Sequence, residues 1–110
     1  MSKRISIVLS GLVAAAVFAP VQSLAQGSLC YAMPGIWLWF DGSRVSFYPN
    51  GFAHNGHTAR WSCWGRQVLI HWSSGWTDQL VLSSNGDYLS GVNQAGSRIW
   101  AQRKAGPGAL

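Results

Sequence analysis

Glycine-containing dipeptides punctuate this chain from residue 41 onward at intervals of about ten residues: Asp41-Gly42, Asn50-Gly51, Gly65-Arg66, Ser74-Gly75, Asn85-Gly86 and Ala95-Gly96. Glycine reaches positive φ without a steric penalty, so each dipeptide is a place where the chain can reverse. Between them lie short runs rich in β-branched and aromatic residues: 36–40, 44–49, 58–64, 67–72, 76–83, 88–92 and 98–103. None shows helical periodicity with helix caps. Runs this short, separated by turns this frequent, predict an all-β fold. The expected architecture is a small antiparallel meander of about seven strands, closing into a barrel or a two-sheet sandwich. The stretch Phe52–His57 reads as a polar loop, and residues 105–110 as a loose tail.

The first 25 residues stand apart from this pattern. Lys3 and Arg4 precede an apolar run from Ile5 to Phe18, which Pro20 ends, and Ser23-Leu24-Ala25 supplies the small residues of a signal-peptidase site. The run is shorter than the ~20 residues of a membrane-spanning helix. A cleavable signal peptide over 1–25 implies a periplasmic or secreted protein with no transmembrane segment after cleavage. Residues 26–104 then form a single domain. Cys30 is not a lipoprotein cysteine, because Gly27-Ser28-Leu29 is not a lipobox. In an oxidising compartment Cys30 and Cys63 are expected to pair. Without Lys3 and Arg4, six basic side chains face Asp41, Asp78 and Asp87, a net charge of +3. The arginines are dispersed, which argues against a nucleic-acid partner.

Turn chemistry assigns side chains to faces. A two-residue loop at Asn85-Gly86 pairs Leu82 with Leu89 and Leu80 with Gly91 on the core side. Ser83, Tyr88, Val81 and Ser90 then lie on the other. A three-residue loop at Ser74-Gly75 pairs Trp72 with Trp76, Ile70 with Asp78 and Val68 with Leu80, so that Trp72 and Trp76 belong with the core. A two-residue loop there would set His71 opposite Asp78 but turn Val68, Ile70 and Trp72 outward. Gln94-Ala95-Gly96 is the third expected loop, with Ile99 and Ala101 facing inward and Trp100 outward. The first hairpin has two readings. A two-residue Asp41-Gly42 loop buries Ile36 and Leu38 and puts Trp37 and Trp39 on a face with Arg44, Ser46 and Tyr48. A Phe40-Asp41-Gly42 loop turns Trp37 inward opposite Val45. Turn propensity alone favours the first, and a one-residue slip inverts every side chain.

Gly35, Trp37, Gly42 and Ser43 give the first hairpin a resemblance to the Gly-x-Trp opening of calycin barrels, with the Gly-Ser spacing of avidins. The resemblance implies that Trp37 plugs one end of a barrel. It implies no biotin binding, since Trp39 stands where avidins carry a biotin-contacting asparagine. The mature chain is also shorter than a usual eight-stranded calycin.

Candidate chemistry is sparse. The chain has three aspartates and no glutamate. Asp41 and Asp87 are turn residues, and Asp78 on the apolar side is expected to be paired or capped by an arginine such as Arg60 or Arg103. His54 and His57 are expected to be solvated loop residues rather than metal ligands, and no Ser/His/Asp set has defensible geometry. Exposed aromatics beside arginine are the stronger signal: Trp39, Arg44, Tyr48, Trp64 and Trp100 are the candidate ligand-binding residues. The expectation is a non-catalytic module without cofactor or metal that binds an extracytoplasmic carbohydrate or small ligand. A second possibility is a protein-binding module, such as an inhibitor of an envelope-directed hydrolase, presenting the loop at Phe52–His57. A third is a small hydrolase or metal site around His54, His57 and Asp78.

Overall fold

The computed structural model describes residues 29–110; the signal peptide assigned to 1–25 lies outside them. Eight antiparallel strands close into one barrel: β1 Gly35–Trp39, β2 Arg44–Phe47, β3 Phe52–His54, β4 Thr58–Trp64, β5 Gln67–Trp72, β6 Thr77–Leu82, β7 Tyr88–Asn93 and β8 Arg98–Ala105. Each strand pairs with the next, and β8 returns to β1. The barrel alternative is therefore the one adopted.

The strand absent from the sequence reading is β3, which occupies the first half of the expected Phe52–His57 loop. Gly51, at φ +89°, reverses the chain, Tyr48 N–H donates to the Phe52 carbonyl at 2.8 Å, and Ala53 faces inward against Phe47. A three-residue strand whose only inward side chain is alanine leaves no legible hydrophobic pattern. At the other end of the chain, β8 continues through Ala105, which pairs with Ile36, and Pro107–Ala109 form a 3₁₀ turn.

Three of the hairpin registers follow the turn chemistry. Leu82 pairs with Leu89, Ile70 with Asp78, and Ser90 with Trp100. The first hairpin departs from the register that turn propensity favoured. Trp39 N–H donates to the Ser43 carbonyl at 2.7 Å, Gly42 sits at φ +88°, and Trp37 pairs with Val45. The loop is thus Phe40-Asp41-Gly42, the register under which Trp37 turns inward. Both Trp37 and Trp39 lie inside the barrel, at 0% and 5% exposure. Burial of two indoles outweighs the small preference between turn types.

Indoles fit inside so small a barrel because alanine stands beside them. Trp39 has Ala101 as its cross-strand neighbour, Phe47 has Ala53, and Trp72 has Ala59. This alternation of large and small side chains fills the interior without straining the strands. Gly91 marks the tightest point, where a Cβ would lie 1.9 Å from the Gln79 carbonyl oxygen.

The segment Leu29–Pro34 closes one end. Met33 is fully buried there, and its carbonyl accepts the Trp37 indole N–H at 2.9 Å. Cys30 and Cys63 are joined by a disulfide that ties this segment to β4. Arg103 locks the same end. Its guanidinium lies 4.5 Å over the Trp37 ring and donates to the carbonyls of Ala32, Pro34 and Gly86, while Nε pairs with Asp87 at 3.2 Å. Among the described residues no helix is long and apolar enough to cross a membrane.

Candidate functional site

Closing the barrel sends alternate side chains outward, and on the β7–β8–β1–β2 side these include Tyr88 and Trp100, joined by Phe40 from the loop after β1. Trp100 sits at the centre of this face. Along β8 the outward residues are Arg98, Trp100, Gln102 and Lys104, all exposed, while Ile99 and Ala101 point into the core. Across the strands, Trp100 pairs with Ser90, which pairs in turn with Val81. On its other side the Phe40 ring lies 5.5 Å from the Trp100 ring, centroid to centroid, at an interplanar angle of 49°. The next row runs Tyr88, Gln102, Leu38, Arg44 through successive pairings. A third row places Val92 beside Arg98.

Trp100, Tyr88 and Phe40 are each more than two-fifths exposed. A solvent-facing aromatic pair flanked by valines is an apolar surface that isolated exposed residues do not make. Beside Tyr88 a shallow groove of about 440 Å³ is lined by Asn85, Asp87, Gln102, Arg103 and Lys104. Flat π-surfaces bordered by amide, hydroxyl and cationic groups suit a ligand with both apolar and polar edges.

Of the five residues expected to bind ligand, Trp100 and Arg44 belong to this face. Trp39 does not, because the three-residue loop turns it into the core, where it packs edge-on against Trp72 at 6.2 Å. Tyr48 follows β2 at its far end and is half-buried, with its carbonyl accepting the Trp61 indole N–H at 3.0 Å. Trp64 is half-buried on β4, halfway round the barrel from β8. The residues that join Trp100 instead are Phe40 and Tyr88. Tyr88 was placed on the outer face by the Asn85-Gly86 turn; Phe40 turns outward through the same slip that buries Trp39.

A second aromatic group gathers at the opposite end from Met33. Trp72 donates its indole N–H to Asp78 Oδ2 at 2.8 Å, and Trp76 lies just beyond. The expected arginine partner of Asp78 is not used: Arg103 is held at the closed end, and the indole takes its place. Asp78 is 4% exposed, and burial raises its pKa above the ordinary carboxylate value while the Trp72 hydrogen bond opposes the shift. Trp76, expected in the core, is instead 46% exposed, because it lies in the hairpin just before β6 begins at Thr77. Asp41, by contrast, is held below the usual carboxylate range by the Ser43 hydroxyl and amide.

The histidines are dispersed. His54 Nδ1 accepts the Gly56 N–H at 3.4 Å, and His71 faces Thr77 on the outer surface. No group of three or more His, Cys, Asp or Glu side chains placed to hold a metal ion occurs among the described residues. Comparison with protein-family models, with curated proteins and with solved structures finds no match to this chain.

Proposed function

We propose that this domain is an extracytoplasmic binding module that engages carbohydrate through the outer face of β7, β8 and β1. The observation that carries the reading is the exposed Phe40–Trp100 pair, continued by Tyr88 and bordered by Ser90, Gln102 and the groove beside Asp87. Sugar rings present C–H faces to aromatic surfaces and hydroxyls to amide and charged neighbours, and this face offers both. A fold held by a disulfide is suited to work outside the cytoplasm, in keeping with the apolar leader of the sequence.

The test is titration of the purified mature domain with a panel of soluble cell-wall and polysaccharide oligomers, followed by tryptophan fluorescence and calorimetry. Saturable binding that Trp100→Ala weakens by about tenfold or more supports the reading. Binding unchanged by Trp100→Ala, or no response to any oligomer, contradicts it.

A further inference from the structure

The charges around Trp100 carry the reading to a class of ligand. Arg103 and Asp87 form the one ion pair among the described residues, and Asp78 is enclosed beneath the barrel mouth. Asp41 is the remaining carboxylate near this face, beside Phe40 in the first hairpin, with its side chain accepting from Ser43. Against it stand Arg44, Arg98 and Lys104, all exposed and none with an acidic partner among the described residues. These three cations are distributed around the aromatic centre rather than beside one another. Arg98 and Lys104 flank Trp100 along β8, and Arg44 ends the row through Leu38 and Gln102. At about 3.3 Å per residue and 4.8 Å per strand, the frame spans roughly 20 Å by 10 Å. Taken with Asp41 and the neutral Arg103–Asp87 pair, the face carries a net charge of +2.

Resting on the carbohydrate reading, we infer that the ligand is an anionic glycan, with carboxylates or other acidic groups on successive residues meeting Arg44, Arg98 and Lys104 while its rings stack on Trp100, Phe40 and Tyr88. Dispersed cations suit a polymer whose charges are themselves spaced along a chain. A single compact anion would need them converged on one point.

The decisive experiment compares an oligogalacturonate tetramer with its fully methyl-esterified form, since the ester removes charge and keeps the sugar rings. The uronate is expected to bind, its affinity falling several-fold as salt is raised from about 0.05 to about 0.5 M, and the ester to bind much more weakly. Replacing Arg44, Arg98 or Lys104 by Gln is expected to cost about two- to fivefold each for the uronate and nothing for the ester. Equal, salt-independent binding of both forms overturns the inference and leaves the carbohydrate reading intact. No binding of either form or of neutral oligomers overturns both. Vesicles of phosphatidylglycerol and phosphatidylcholine are the control: capture as strong as the uronate's and unaffected by Trp100→Ala would assign the cations to a lipid surface instead.

Discussion

Asp78 is the residue whose environment differs most from its chemistry. Its carboxylate is buried with the Trp72 indole N–H as partner, and burial lifts its pKa. Ionisation is therefore less favourable in the folded state than in the unfolded chain. Stability should be highest where Asp78 is protonated in both states, and should fall as pH rises from the unfolded value through the raised folded one. Thermal melts between about pH 4 and pH 7 should show a midpoint that declines with pH, and Asp78→Asn should flatten that decline while keeping an oxygen for Trp72. Asp41 acts with the opposite sign, because its folded pKa is lowered, and its contribution disappears only at more acidic pH. A melting midpoint independent of pH across that window would show that Asp78 is better solvated than its burial implies. Trp37 is the structural counterpart: Trp37→Ala removes a fully buried indole, its bond to Met33 and the platform under Arg103, and should cost about 3–5 kcal/mol in urea denaturation.

Hairpins decide which tryptophans are core. Gly42 at φ +88° closes the three-residue loop that sends Trp37 and Trp39 inward and Phe40 outward. Nothing lies within 4 Å of a Cβ at Gly42, so Gly42→Ala tests backbone strain alone and should cost about 1–2 kcal/mol. Ala101→Leu should be destabilising by about 1–3 kcal/mol through overpacking against Trp39, whereas Ser90→Leu on the outer side of the same sheet should not. Chemical denaturation measures all three. The three hairpins at residues 73–76, 84–87 and 94–96 were legible because the loop chemistry and the burial of aliphatic side chains pointed to the same register. At Asp41-Gly42 the two conflicted. The turn residues favoured a two-residue loop, and the alanines that make room for Trp39 and Phe47 lie on distant or unrecognised strands. Ala101 is 62 residues downstream of Trp39, and Ala53 is on the strand read as loop. Of the candidate site, Trp100 and Arg44 were legible from alternation, while Phe40 depended on the register that local signals misjudged.

At the scale of the molecule, the barrel interior is filled by Trp37, Trp39, Phe47 and aliphatic side chains, and the proposed carbohydrate contact therefore lies on the outer wall. The disulfide holds the Leu29–Pro34 plug against β4, and the loop-entropy model values a closure of this length at about 3–4 kcal/mol. Reduction should lower the melting midpoint and loosen the closed end, while the β7–β8–β1 face, built from strand pairs, should persist below that midpoint. The indole N–H resonances of the seven tryptophans test the placement of the binding surface most directly. In a two-dimensional NMR titration with the oligogalacturonate tetramer, the Trp100 signal is expected to move saturably while those of Trp39, Trp72 and Trp76 stay in place. Shifts concentrated on Trp39, Trp72 and Trp76, with Trp100 unmoved, would put the ligand at the mouth of the barrel and contradict that placement.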